Sequence, residues 1–188
     1  LVGGPGGTNT GFYLVQGADL VTVVDPSTPA PPPSGATGSP AESFTAFPGP
    51  AAQSGIRVAF VGKTATRTGV YVVGGGILEA AFDAGPSPSP GAPLSDVAAL
   101  GFDGTILAAV VVSNTTPPGY TLWRIAPGQA PRNLIQTGDL LPGNPAATRR
   151  VARLDSPVVE DGTVYVVVED HLQSRHVLAW KTTEALVL

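Results

Sequence analysis

An all-β chain built from repeated four-stranded units is the fold class that three features of this 188-residue sequence predict. Its apolar residues come in short β-branched runs with no helical period, and 24 glycines and 20 prolines punctuate every longer run. Three sets of landmarks also return at intervals of 49 to 58 residues. Helix is expected to be close to nil.

The first element is a pair of strands, Gly11 to Val15 and Leu20 to Val24, joined across Gln16-Gly17-Ala18-Asp19. Asp25 to Pro50 follows, with eight prolines in 26 residues. Proline lacks an amide donor and fixes φ, so this segment cannot be a central strand; it reads as a surface connection with Phe44 to Phe47 tucked inward as a short edge strand. Ile56 to Val61, apolar on both sides except for Arg57, predicts a strand buried on both faces. Val70 to Val73 and Ile77 to Phe82 complete a meander, the last turn being Gly74-Gly75-Gly76, where residues without Cβ can take positive φ.

Downstream the pattern recurs. Gly11-Phe12-Tyr13, Gly69-Val70-Tyr71 and Gly119-Tyr120 open equivalent strands; Asp25, Asp83 and Asp139 end the strands that follow; Gly55, Gly104 and Gly162 precede the buried strands. A unit is therefore four strands: a first (Phe44 to Phe47, Val97 to Phe102, Val151 to Val159), a buried second (Ile56 to Val61, Thr105 to Val112, Thr163 to Glu169), a third (Val70 to Val73, Tyr120 to Ile125, His176 to Lys181) and a fourth (Ile77 to Phe82, Asn133 to Thr137, Ala185 to Leu188). Asp103-Gly104 and Asp161-Gly162 are tight-hairpin signals at the turn into the second strand. Units of this size, at 11–25, 44–83, 97–139 and 151–188, predict one repetitive domain: a partial β-propeller of about three and a half four-stranded units, with a β-sandwich as the alternative. Propellers usually have at least four blades and close with one terminus completing the other's blade, so a longer chain or a capping partner is expected, with open faces at Gly11 to Val24 and near Trp180 to Leu188.

The motifs Gly69-Val70-Tyr71, Leu78, Asp83, Val58-Ala59-Phe60-Val61-Gly62 and the loop Asp25-Pro26-Ser27-Thr28-Pro29-Ala30-Pro31 resemble the tandem repeats of bacterial extracytoplasmic β-propeller-like proteins of unknown function. The likeness covers about Gly11 to Gly104; beyond it Ala108-Ala109-Val110 and Tyr165-Val166-Val167 depart from the pattern. It implies an extracytoplasmic location, periplasmic or secreted, and brings no catalytic residues.

Composition narrows the chemistry. Charged residues are 13% of the chain against about 25% in ordinary soluble domains, and mean hydropathy is +0.21, which predicts much buried surface, subunit contacts included. A net charge of -4, with no basic cluster beyond Arg149-Arg150 and Arg153, lacks the footprint of a nucleic-acid binder. Cysteine is absent, which removes disulfides, thiolate metal sites and thiol nucleophiles. The longest apolar run, Ile106 to Val112, is far short of the roughly 20 residues of a membrane helix. Leu1 opens the chain and methionine is absent, which favours a processed chain or a fragment.

Candidate sites are few. Gly62-Lys63-Thr64 lacks the upstream glycine of a phosphate loop, Arg57 standing in its place, and lies between strands, so it reads as a hairpin loop. Asp25, Asp83 and Asp139 share one position in the unit and would line one rim; they are the metal candidates, although aspartate beside proline or glycine more often caps a turn. Glu169, Asp170, His171 and His176 form a second possible metal cluster, against the commoner reading of a solvated corner. Trp123-Arg124 and Trp180-Lys181 repeat 57 residues apart; Trp123 and Trp180 are the partner-binding candidates, with packing between units as the simpler role. No nucleophile elbow or cofactor motif is present, and Asn114-Thr115-Thr116 matters only in a host that glycosylates it. The function expected is a non-catalytic, extracytoplasmic binding or scaffold module that engages another protein or the cell envelope. The rivals are a small accessory subunit of an envelope complex and a propeller lyase or glycan hydrolase, which would need two opposed acids drawn from the aspartates.

Overall fold

The computed structural model describes residues 11–16, 18–32, 42–83, 96–113, 115–143, 148–181 and 185–187. Among them there is no helix, and the strands form successive antiparallel sheets in chain order. The first sheet is the hairpin β1 (Phe12–Gln16) and β2 (Asp19–Val24), followed by the two-residue strands β3 (Pro29–Ala30) and β4 (Glu42–Ser43). The second is the meander β5 (Ala51–Ser54), β6 (Arg57–Lys63), β7 (Thr68–Gly74) and β8 (Ile77–Asp83). The third repeats it with β9 (Asp96–Phe102), β10 (Leu107–Val112), β11 (Tyr120–Ile125) and β12 (Arg132–Gln136). The fourth comprises β13 (Val151–Leu154), β14 (Val158–Glu160), β15 (Thr163–Asp170), β16 (Arg175–Trp180) and β17 (Ala185–Val187).

Two expected first strands are corrected. In the second sheet the first strand is β5, not Phe44 to Phe47. Phe44 is buried instead against Phe47, Phe60 and Tyr71, and only Ala46 makes an isolated bridge, to Lys63. Ile56, expected to open a buried strand, lies in the Gly55-Ile56 turn between Ser54 and Arg57 and is 70% exposed. In the fourth sheet Val151 to Val159 is not one strand: β13 and β14 both pair with β15 and are separated by Asp155-Ser156-Pro157, where proline cannot donate to the ladder.

The sheets pack face to face in sequence, because each second strand is apolar on both faces. From β6, Val58 and Phe60 point to the first hairpin, in a cluster with Phe12, Val24, Phe44 and Tyr71. Ala59 and Val61 point the other way, against Leu107, Ala109 and Val111 of β10. Ala108 and Val110 of β10 then meet Val164, Val166 and Val168 of β15. A half-solvated strand could alternate polar residues; β6 and β10 cannot, since each serves two cores.

The recurrent Gly-X-Tyr has a local cause. The ladders β1–β2 and β7–β8 each carry a bulge at the same place, Phe12/Tyr13 and Val70/Tyr71. There the facing strand crowds the glycine: a Cβ on Gly11 would lie 2.5 Å from the Val24 carbonyl oxygen, and one on Gly69 would lie 3.0 Å from that of Phe82. In the third sheet the bulge falls later, at Leu122/Trp123, and the motif thins to Gly119-Tyr120. Asp161 and Gly162 both take positive φ, 48° and 74°, the two-residue hairpin expected between Glu160 and Thr163. Asp103-Gly104 differs, because only Gly104 is at positive φ and the loop runs on through Thr105 and Ile106.

Candidate functional site

The repeated landmarks converge on one open cleft of about 480 Å³ between the third and fourth sheets, lined by Asp103, Thr105, Ile106, Arg124, Asp161, Gly162 and Lys181. Its floor is fixed by the turns. Asp103 Oδ1 accepts the amides of Thr105 at 2.8 Å and Ile106 at 2.7 Å, and Oδ2 accepts the amide of Gly162 at 2.8 Å from the next unit. On the other side the Arg57 guanidinium donates to the Gly104 carbonyl and stacks over the Phe102 ring at 5.7 Å. The first-hairpin turns of three successive units are thus tied together. Burial raises the Asp103 carboxyl, but the amides of Ile106, Thr105 and Gly162 outweigh it and hold the group below the usual aspartate range.

The cations enter from the third strands. Leu122 and Ala126 of β11 and its end belong to the core shared with the fourth sheet, and alternation places Arg124 on that same side. Trp123 faces oppositely, packing on Phe82 with ring centroids 5.6 Å apart, and Trp180 is 3% exposed within the core of the third and fourth sheets. Neither tryptophan is offered to a partner as the sequence pairing suggested; they pack between units, and it is their neighbours Arg124 and Lys181 that reach the cleft. Packing between units is the simpler role that the 57-residue repeat of an aromatic followed by a cation suggested for both tryptophans.

A second polar centre lies at the far end of β15. The side chain of Asp170 is buried, and it takes hydrogen bonds from Arg149 at 2.9 Å, from the amides of Leu172 and Ser174 at 2.9 Å each, and pairs with His176 Nε2 at 3.0 Å. Burial raises this carboxyl, and His176, the Ser174 amide, Arg149 and the Leu172 amide overcome it, leaving it well below the ordinary range. His171 turns away, its Nδ1 receiving the Arg150 amide at 3.2 Å. Asp170 is therefore neither a solvated corner nor an open ligand: its oxygens are spent joining the 171–174 turn to Arg149, two residues before β13. Among the described residues no group of three histidines or acids is placed to hold a metal.

Of the three rim aspartates, two show what they do. Asp25 Oδ1 accepts the Ser27 amide at 2.9 Å and the hydroxyls of Ser27 and Thr28 at 2.6 and 3.1 Å. Asp139 Oδ2 accepts the Gln136 amide at 2.9 Å. Both side chains satisfy turn donors. The side chain of Asp83, and Asn114, lie outside the described residues. The Gly62-Lys63-Thr64 stretch ends β6 in a hairpin loop in which Thr64 Oγ1 accepts the Arg67 amide at 3.3 Å. A Cβ on Gly62 would fall 2.5 Å from the Phe44 ring, so this glycine admits an aromatic side chain rather than a phosphate.

No protein family, curated protein or solved structure matches the chain. No helix among the described residues is long and apolar enough to cross a membrane.

Proposed function

We propose that this chain is a non-catalytic, extracytoplasmic, propeller-type scaffold module that engages another protein through the open face of its fourth sheet. The observation that carries the reading is the equivalence of the second strands. Ala59 and Val61 of β6 are covered by the third sheet, and Ala108 and Val110 of β10 by the fourth; all four are essentially inaccessible. The same positions in β15 are Tyr165 and Val167, which are only partly buried. Around them the registers place Val158 and Ala179 beside Tyr165 and Val177 beside Val167, with Val158 58% and Val177 40% exposed. An apolar stripe at a position built elsewhere for sheet-on-sheet packing marks an interface.

What fits it is another sheet of the same construction, and a second copy of this chain supplies one. The stripe is bounded by Glu169, flanked by Arg153 and Arg175, and by Asp155, which pairs with both arginines; with two acids and two bases at this edge, two copies meeting about a two-fold axis can oppose unlike charges. Four-stranded meanders stacked in chain order support the propeller reading, and the likeness of the repeats to extracytoplasmic proteins supports the location. Of the two acids lining the cleft, Asp103 has both oxygens taken by backbone amides, which leaves Asp161 without a free carboxylate partner and weighs toward binding and away from glycan hydrolysis.

Sedimentation velocity of the 188-residue protein tests the proposal. Self-association in the micromolar range is expected, weakened at least about tenfold by combining Val167→Asp with Val177→Lys while the β-type circular dichroism is kept. A monodisperse monomer at about 100 μM, or association indifferent to both substitutions, refutes it.

A further inference from the structure

We propose that the cleft between the third and fourth sheets is a binding site for a carboxylate group, held by Arg124 with Lys181 at the mouth. Three observations independent of the open sheet face lead there. Arg124 Nε is a buried donor without a hydrogen-bond partner among the described residues. Leaving a buried charged donor unmatched is among the costlier arrangements in a folded protein, and an anion beside the same guanidinium offsets the charge that the protein leaves unanswered. Secondly, Arg124 stands directly opposite Arg132 in the β11–β12 ladder. Like charges in that relation repel, and an anion at the cleft relieves both. Thirdly, Lys181, at the equivalent place in the next unit, lines the same cleft, so the repeat itself supplies a second cation to one pocket.

The acids in the cleft do not cancel this. Both oxygens of Asp103 are occupied by backbone amides, three in all, which fix the turns and leave little of the carboxylate to compete for the arginine. Asp161 is exposed at the hairpin tip, where water and salt screen it. The Arg124 guanidinium is partly buried, so its charge acts at lower dielectric and its planar fork suits a carboxylate better than a point cation would. A metal cation would find a single free acid here. The size of the cleft, about 480 Å³, admits a small organic acid or one acidic side chain of a peptide.

Nuclear magnetic resonance titration of the intact protein tests the site, using succinate, the peptide N-acetyl-Glu-Glu-amide, and uncharged succinamide as control. The Arg124 Nε–H and Gly162 amide resonances are expected to move saturably with at least one of the two acids and not with succinamide. Saturation by succinate assigns the site to free organic acids; saturation by the peptide alone assigns it to an acidic protein segment. Followed at the Gly162 amide, Arg124→Gln weakens binding on the order of tenfold. Arg124→Lys, which keeps the charge and the stem and guards against a folding defect, weakens it comparably because the fork is lost. No saturable shift with either acid, equal shifts with succinamide, or unchanged affinity in both variants overturns the proposal.

Discussion

Replacing Phe60 with alanine removes the centre of the cluster that seats the first hairpin on the second sheet. Phe60 is fully buried, and its ring lies 5.1 Å from Phe12, 5.7 Å from Phe44 and Phe47, and 5.8 Å from Tyr71. Three of those rings belong to segments outside the second sheet; Phe44 also rests on Tyr71 at 4.9 Å, but Phe12 and Phe47 meet that sheet's rings only at Phe60, so the vacated space cannot collapse without moving them. Phenylalanine-to-alanine changes in such cores cost about 3–5 kcal/mol. A domain of this size has a total stability on the order of 5–15 kcal/mol, so the loss is a large share of it. With a urea m-value of about 2 kcal/mol/M, the midpoint falls by roughly 1.5–2.5 M. Equilibrium urea denaturation followed by tryptophan fluorescence and by circular dichroism measures it, with hydrogen exchange at β1 and β2 reporting whether the hairpin detaches first. Val177→Ala on the open face is the comparison and is expected to change stability by about 0.5 kcal/mol or less. A Phe60→Ala cost below about 1 kcal/mol, or one no larger than that of Val177→Ala, refutes the assignment of this cluster as the anchor.

Two further outcomes are expected. Because the folded-state carboxyl of Asp170 lies below its unfolded value, it contributes stability that is fully present above the ordinary aspartate value of 3.8 and is lost as pH falls through the lower folded value. Thermal melts should therefore show an acid limb that flattens in Asp170→Asn, and an acid limb identical in the variant would remove this residue as its source. Asp139→Asn keeps a short acceptor for the Gln136 amide and should cost under about 1 kcal/mol, with the melting temperature of neither form responding to calcium; a calcium-dependent rise confined to the unmutated protein would show a metal site instead.

How much was legible in the sequence depends on which residues had local reasons to be where they are. The meanders of β6–β8 and β9–β12 were readable because β-branched runs and positive-φ turns act within a few residues: Gly75 and Gly76 turn the chain whatever lies around them. The all-β class followed from the same short-range rules. Even the Gly-X-Tyr motif was visible, though its cause, a bulge pressing a neighbouring carbonyl onto Gly11 and Gly69, was not.

Tertiary contacts decided the rest. Phe44 was read as part of a strand because aromatic residues favour strands, yet it is worth more as a plug between Phe60 and Tyr71, and Ala51–Ser54, with no marked strand preference, became the edge that β6 needed. Asp170 looked solvated because charge usually is; only the meeting of Arg149, 21 residues earlier, with His176 makes its burial tolerable. Trp123 and Trp180 were legible as a repeat and packing between units was the simpler reading, but alternation, which says that a tryptophan and its following cation face opposite ways, does not say where the cations meet. The sequence by itself determined the second, third and fourth strands of the meanders and the turns between them, because those are set by nearest neighbours along the chain. Which face of each sheet is covered, and that Arg124 and Lys181 share a cleft, depends on how successive sheets stack, and that is decided by contacts between residues some 50 positions apart.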